Sequence, residues 1–325
     1  MGNRQSSADT ASASRAAASR PDWSTLAAFL LAAFLAGGNV VAVRFSNSGL
    51  PPFWGATLRF SAAALIFWSI VLVRHTPVPK GRALLGAVLY GLLSIGLAYA
   101  GLYWGLVRAP AGLAGAVIAL APLMTLFFAA GHGLEILHWR GLVGALVATA
   151  GVLLGAVGGF GGAMHVPSVL ALVAGVACTA ESGVVYKLFP NSDPMVYNAV
   201  SLTTGVPLLA ALSRLMGERW ALPATARTWA AYAYLVVIGS VVVFYLFLYV
   251  LSHWTASAAS YLGLLIPVSA VVLGALLAGE AITPSFLLGA AMVIAGVWLG
   301  ALHQQPEARP KIDVACTERH SEVPC

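Results

Sequence analysis

Acidic residues are scarce in this chain. Aspartate occurs only at Asp9, Asp22, Asp193 and Asp313, and charged residues make up 9% of the 325 residues against 60% hydrophobic ones. A water-soluble globule of this length needs more polar side chains to cover its surface. The composition therefore predicts an integral membrane protein. Its long continuous apolar runs favour spanning helices over the alternating ~10-residue segments of a β-barrel.

Cysteine is rarer still. Cys178, Cys316 and Cys325 show no paired or metal-ligand spacing, so neither disulfides nor a metal site are predicted. The histidines lack the i, i+4 spacing of a ligand pair, and no nucleophile or nucleotide-binding motif appears, which indicates a protein that is not an enzyme and uses no cofactor. The net charge of +6 is spread over short loops and tails without a basic stripe. This distribution argues against nucleic acid as a partner.

Ten apolar segments have the roughly 20-residue length that a bilayer requires. The predicted spans are residues 24–43, 53–73, 83–107, 112–131, 139–158, 167–188, 195–215, 229–251, 256–278 and 284–302. Short loops with turn residues connect them. Residues 1–23 are rich in Ser, Ala and Arg and lack the apolar region of a signal peptide. Like residues 303–325, they are predicted to form a disordered cytoplasmic tail.

One apolar segment occurs twice. ALAPLMTLFFAAGHGLE, residues 119–135, returns as LLIPVSAVVLGALLAGE, residues 264–280. A shift of 145 residues pairs Pro122 with Pro267 and Glu135 with Glu280. The chain is therefore predicted to be all-α, with ten transmembrane helices in two five-helix repeats, 24–158 and 167–302. Because five is odd, the second repeat enters the membrane from the opposite side, and such inverted repeats are typical of secondary transporters.

The distribution of Lys and Arg favours both termini on the cytoplasmic side of the cell (inner) membrane. Glycines spaced four residues apart predict close helix packing, either within one molecule or across a homodimer. They are Gly101 and Gly105, Gly151, Gly155 and Gly159, and Gly296 and Gly300.

Several segments resemble the EamA-like family of the drug/metabolite transporter superfamily. The similar features are the two repeated segments, each followed by a Gly-rich span ending in AGV, the stretch FWGATLR containing Arg59, and the run YLFLYVLSHWTASAASYLGLLIP. The resemblance covers residues 24–302. It implies a ten-helix carrier for small organic solutes, often an exporter, with a central cavity lined by both halves. It does not imply a particular substrate.

Glu181 is the one carboxylate deep within a predicted span, about 21 Å from its start. A charge at that depth costs roughly 2.5–3.5 kcal/mol on insertion scales, so such residues usually face a cavity or a partner. We expect Glu181 either to take a proton in exchange for substrate or to pair with a substrate ammonium. The alternative is a glutamate that only locks two helices. The repeat alignment places Asn39 on the other side of the midplane, where it could hydrogen-bond the solute in the same cavity.

Five further side chains are predicted to contact the substrate. Tyr99 and Tyr103 share a face of the third span, Ser257 and Tyr261 share a face of the ninth, and Asn198 lies in the seventh. Polar and aromatic groups on such faces suit a pocket for an organic solute. For the polar groups, interhelical hydrogen bonds are the alternative.

Structural roles are predicted for another set of residues. Arg59 lies about 9 Å into the second span. It could snorkel outward or hold a substrate carboxylate, while its position in the family motif implies a structural role. Glu135 and Glu280 end their spans and are predicted to pair or to cap helices. Pro122 and Pro267 fall inside spans, where a missing N–H bends the helix and could form a hinge.

These features predict a secondary transporter that moves a small organic metabolite by alternating access. The main hypothesis is export of an amino acid or drug-like solute, coupled to protons through Glu181. The alternative hypothesis is an importer, an exchanger, or an uncoupled facilitator or channel for a small solute. The predicted partners are the solute and the lipid bilayer. The sequence is compatible with a single copy and with a homodimer.

Overall fold

The computed structural model describes residues 23–47, 49–106, 117–155, 166–190, 192–278 and 284–302. Those residues form helices joined by short loops, and none of them lies in a β-strand. The helices are α1 (Trp23–Asn47), α2 (Pro52–Val73), α3 (Arg82–Gly91, Leu92–Leu97 and Ala98–Leu106), α4 (Ala121–Gly131), α5 (Trp139–Gly155), α6 (Val166–Leu188), α7 (Pro194–Leu215), α8 (Ala226–Val236, Val237–Val242 and Val243–His253), α9 (Ala256–Ser260 and Leu262–Ala278) and α10 (Pro284–Val297 and Trp298–Leu302).

Seven of the described helices, α2, α3 and α6 to α10, are long and apolar enough to cross a membrane. The apolar parts of α1, α4 and α5 are shorter. Because residues 107–116 and 156–165, next to α4 and α5, lie outside the described ranges, the count of ten spans stays a prediction. Leu65, Leu170 and Leu287 are each more than half exposed, as suits side chains that face lipid.

Helices from the two halves of the chain pack on each other. In the described ranges, α1 contacts α8 and α9, α2 contacts α7, α3 contacts α6 and α7, α4 contacts α6, and α5 contacts α10. Glycines lie at the crossings: a Cβ atom on Gly101 would be 2.5 Å from Ala171 O, and one on Gly296 would be 2.5 Å from Gly144 O. The glycine faces of α3 and α10 therefore contact helices of the same chain. Such close backbone contacts stabilise helix packing in a bilayer, where the hydrophobic effect does not drive helices together.

Two helices contain a π-helical segment near their middle. Leu92–Leu97 interrupts α3 and Val237–Val242 interrupts α8. The two segments begin 145 residues apart, which is the shift that relates the repeated sequences. The segment in α8 faces α1 and α2. Single π turns inside α-helices are frequent at functional sites, because they displace side chains and backbone carbonyls from the regular ladder.

The N-terminus of α2 is capped from the other half of the chain. Pro52 has no N–H, and the next two amides donate to one carboxylate: Phe53 N to Glu218 Oε1 (3.1 Å) and Trp54 N to Glu218 Oε2 (2.7 Å). Ser213 Oγ donates to the same Oε2 at 2.8 Å. Glu218 lies in the loop after α7, so this cap ties α2 to α7.

Candidate substrate site

Arg59 is a buried cation on α2. Its side chain is 4% exposed. Nε donates to Ser240 Oγ (2.7 Å), Nη2 donates to Gly239 O (3.0 Å), and the guanidinium carbon lies 5.0 Å from the centroid of the Phe60 ring. Arg59 therefore points inward to α8, whereas a snorkelling arginine would extend to the membrane surface.

The π segment of α8 supplies both acceptors for Arg59. Ser240 Oγ donates its own proton to Leu235 O at 2.9 Å, five residues earlier, so its lone pairs remain available to accept. Gly239 O accepts a second hydrogen bond, from Asn39 Nδ2 at 3.2 Å. A Cβ atom on Gly239 would overlap Asn39 Oδ1. Glycine at this position is what allows α1 to approach the π segment.

Asn39 carries an unpartnered acceptor. Its Oδ1 is buried and has no hydrogen-bond partner in the described structure. The orientation of the amide follows from its surroundings, since only Nδ2 can donate to Gly239 O. The Asn39 amide and the Arg59 guanidinium each lie within 3.2 Å of that one carbonyl oxygen. They are therefore neighbours.

An aromatic cluster borders the guanidinium on the α3 side. The Phe60 ring lies 4.7 Å from Tyr99 and 5.7 Å from Phe244, and Tyr99 lies 6.0 Å from Tyr103. Of the residues singled out from the sequence, Asn39 thus shares a carbonyl with Arg59, Tyr99 packs on the ring that borders the guanidinium, and Tyr103 packs on Tyr99.

Glu181 contacts a different part of the chain. His132 Nε2 lies 2.9 Å from Glu181 Oε1, and the two side chains form the one ion pair among the described residues. His132 caps the C-terminus of α4, and its side chain is 44% exposed against 28% for Glu181. Glu181 and Asn39 thus have different partners. Among the residues that the structure describes, no three His, Cys, Asp or Glu side chains lie close enough to hold a metal ion.

Three predicted substrate contacts form hydrogen bonds inside the bundle. Ser257 donates its amide to Glu135 Oε1 (3.1 Å) and its hydroxyl to Glu135 Oε2, so Glu135 contacts the N-terminal end of α9. Tyr261 OH donates to Gly141 O (2.9 Å), and Asn198 Nδ2 donates to the carbonyl four residues earlier (3.0 Å). Ser257, Tyr261 and Asn198 are each at most 2% exposed. The contacts of Ser257 and Tyr261 correspond to the interhelical alternative, whereas the contact of Asn198 lies within α7. All three side chains are closed to solvent in this conformation.

The repeated prolines occupy different local positions. Pro267 lies within α9, as the hinge hypothesis requires. Pro122 lies in the first turn of α4, where its missing N–H removes no helical hydrogen bond. The helix-bending effect therefore applies to Pro267 and, in addition, to Pro207 within α7. Glu280 lies outside the described residues.

Sequence reasoning did not single out His132, Ser240, Gly239 or Glu218. A signal was present for Gly239 and Ser240, which interrupt the apolar run VVIGSVVVF. His132 lies three residues before the repeated Glu135, at the end of a predicted span. Nothing in the sequence pattern pairs Glu218 with the start of α2, because the two are separated by 165 residues.

Apolar helices that enclose a buried cation, together with a partly exposed acid–base pair, are typical of an integral multi-pass membrane transporter. A sequence model of the EamA-like transporter family matches residues 23–156 and again residues 166–301. The chain belongs to the EamA-like transporter family.

Relatives with similar sequences are named as transporters. The chain is 26% identical over 295 residues to "Uncharacterized inner membrane transporter YedA" of Escherichia coli (strain K12), covering 87% of this chain and 94% of that protein. It is 27% identical over 274 residues to an "Uncharacterized transporter" of Archaeoglobus fulgidus, covering 79% and 91%. It is 28% identical over 222 residues to a "Probable terminal-alkyne amino-acid exporter" of Streptantibioticus cattleyicolor, covering 68% and 74%.

The fold also matches a solved crystal structure with a TM-score of 0.75. The match covers 87% of this chain and 98% of that one at 22% sequence identity, so it supports the fold alone.

Proposed function

We propose that the protein is a secondary transporter that exports a small organic metabolite by alternating access, with proton coupling through Glu181. Membership of a transporter family supports the class, and a relative named as an amino-acid exporter supports both the solute class and the direction. The proposal includes that the chain is not an enzyme. It also includes an inner-membrane location, which agrees with the name of the Escherichia coli relative, and an orientation with both termini cytoplasmic.

The pattern of helix contacts supports two inverted repeats. Under the repeat, α1 corresponds to α6, α3 to α8 and α4 to α9. The contact of α1 with α9 then corresponds to that of α6 with α4, and the contact of α3 with α6 corresponds to that of α8 with α1. The two π segments occupy equivalent positions in this scheme. Rocking of one repeat against the other is the motion by which such folds alternate access.

The main support for the proposed proton coupling is the contact between Glu181 and His132. It joins α6 of the second repeat to α4 of the first, so a movement between the repeats separates the two side chains. Both are partly exposed, which lets them exchange protons with solution. The 2.9 Å between His132 Nε2 and Glu181 Oε1 is a hydrogen-bond distance, across which a proton can pass. In this proposal Glu181 is protonated when the pair is broken and releases the proton when it reforms.

The test is flux from proteoliposomes loaded with a metabolite mixture, with and without a pH gradient. Wild type should lose one class of solute faster when the gradient is imposed. Glu181→Gln keeps the size of the side chain but cannot ionise, so its flux should no longer respond to the gradient. Asp193→Asn is the matched control, because it removes a carboxylate from the loop after α6 and leaves a residue that can still cap α7.

Each outcome separates the alternatives. A normal rate and a normal response to the gradient in Glu181→Gln would remove the coupling role and leave a structural glutamate. Equal leakage from wild type and variant, without saturation, would favour a channel or uncoupled facilitator. Faster uptake than release would favour an importer, and flux that requires solute on both sides would favour an exchanger.

A homodimer remains part of the proposal to be tested. The described glycines of α3 and α10 are engaged within the chain, so a dimer would have to use other surfaces. The mass of the purified protein in lipid nanodiscs decides between one copy and two.

A further inference from the structure

Among the residues that the structure describes, no carboxylate contacts Arg59. The carboxylates in the described ranges all contact other groups: Asp193 contacts Met195 N, Glu135 contacts Ser257, Glu181 contacts His132, and Glu218 contacts Phe53 and Trp54. The neighbours of Arg59 are a hydroxyl, a carbonyl and an aromatic ring. These groups accept hydrogen bonds but carry no negative charge.

The guanidinium also has donors to spare. It has five N–H groups, of which one on Nε and one on Nη2 are used by Ser240 and Gly239. The remaining donors are arranged in the planar fork that fits a carboxylate through two parallel hydrogen bonds. An arginine at this depth is costly to insert into a membrane unless it meets a partner or a polar cavity.

We propose that Arg59 binds the carboxylate of the transported solute, and that Asn39 Oδ1 accepts a hydrogen bond from an amino or hydroxyl group on the adjacent carbon. This assignment rests on the proposed transport function and names its substrate class: small α-amino or α-hydroxy acids. Arg59 gains a counter-charge that none of its described neighbours provides. The buried acceptor of Asn39 gains a donor.

Arg59 is the one cation that the described contacts place at this subsite, which favours a carboxylate over a phosphate. Arg214 lies over the Trp220 ring at 3.8 Å and Arg227 over the Phe45 ring at 3.9 Å, so both of these cations are placed against other residues. A phosphate monoester carries nearly two negative charges at neutral pH. One guanidinium matches a carboxylate in both charge and shape.

The aromatic cluster extends this subsite. Phe60 lies beside the guanidinium, Tyr99 packs on Phe60, and Tyr103 continues the cluster along α3. A solute whose carboxylate contacts Arg59 can therefore place an apolar side chain against these rings. We expect amino acids with large apolar side chains to bind more tightly than small ones.

Equilibrium binding to the purified wild-type protein in lipid nanodiscs tests the carboxylate without any mutation. The probes form two matched series: L-leucine, L-leucinamide and isopentylamine, and L-phenylalanine, L-phenylalaninamide and 2-phenylethylamine. The free acids should bind about 10- to 100-fold more tightly than the amides and amines, because a hydrogen-bonded charge pair in a buried site is lost in both analogues. Equal binding of acid and amide, or no binding of either acid, would overturn the inference.

Variants at Arg59 form the second arm. Arg59→Gln should weaken binding of the acid by a similar factor and leave binding of the amide unchanged, which removes the discrimination. Arg74→Gln makes the same substitution at the exposed C-terminal end of α2 and should behave as wild type. Retained preference for the acid in a folded Arg59→Gln protein would overturn the assignment. If that variant does not fold, the comparison of acid and amide on wild type still decides.

Failure of this inference differs from failure of the proposed function. Saturable flux of solutes that lack a carboxylate would leave the transporter proposal standing and remove the role of Arg59. Binding of the acids with the expected preference, but without any flux in proteoliposomes, would support the subsite and contradict transport.

Discussion

The contact between Glu218 and the start of α2 leads to a prediction that can be worked out from the structure. Glu218 accepts hydrogen bonds from Phe53 N and Trp54 N, the first two free amides of the helix. In Glu218→Ala both amides lose their partner. Loss of a capping side chain costs about 0.5–2 kcal/mol. We expect the upper part of that range, about 2 kcal/mol, because two donors share one charged acceptor at the positive end of a helix dipole.

Amide hydrogen exchange measures this effect locally. About 1.4 kcal/mol corresponds to a tenfold change in an equilibrium constant, so the peptide covering residues 52–58 should exchange roughly 10- to 30-fold faster in Glu218→Ala. Glu218→Gln retains one acceptor oxygen and should give a smaller increase. Glu135→Ala is the matched control, because it removes the carboxylate at the start of α9 and should affect the peptide around Ser257 instead. Unchanged exchange at residues 52–58 in Glu218→Ala would refute the capping argument.

Two further substitutions test the packing of α5 against its neighbours. Gly296→Leu should destabilise the protein by about 3 kcal/mol or prevent folding, because its Cβ would meet the backbone oxygen of Gly144 at 2.5 Å and backbone cannot move aside. Gly131→Ala has no atom within 4 Å of the new Cβ and should change the midpoint of thermal unfolding in detergent very little, so similar losses in both variants would contradict the steric argument. Tyr261→Phe keeps the ring but removes the hydrogen bond to Gly141 O, which should cost about 1 kcal/mol in the same assay and leave solute flux intact. A loss of flux in Tyr261→Phe at wild-type stability would instead support the predicted substrate contact.

The polar residues within the helices show what the sequence pattern can predict and what it cannot. The sequence shows that these residues interrupt apolar runs, but it does not show which groups they hydrogen-bond. Asn198, Ser257 and Tyr261 satisfy their hydrogen bonds inside the bundle, whereas Asn39 keeps a free acceptor. A helical periodicity places a side chain on a face, and the crossing of helices decides what that face meets.

Arg59 shows that the sequence likewise does not predict the partner of a charged side chain. Snorkelling and solute binding were equally compatible with its position about 9 Å into a span, because sequence position gives depth and not direction. The direction depends on the π segment of α8, which presents Gly239 O and Ser240 Oγ to the guanidinium. An i→i+5 segment has no strong sequence signature, so this acceptor pair could not be predicted.

The sequence by itself determined that the protein lies in a lipid bilayer, that it is helical and which family it resembles, because these depend on composition, on the length of apolar runs and on a repeated motif. Only the tertiary structure decided which groups meet: Arg59 with the π segment, Glu181 with His132, and Glu218 with the start of α2. Each contact joins residues from different helices or loops, 49 to 181 positions apart in the chain. Hydropathy is a local property of the chain, whereas a pairing at that separation depends on how whole helices cross, and that geometry arises only when the bundle has packed.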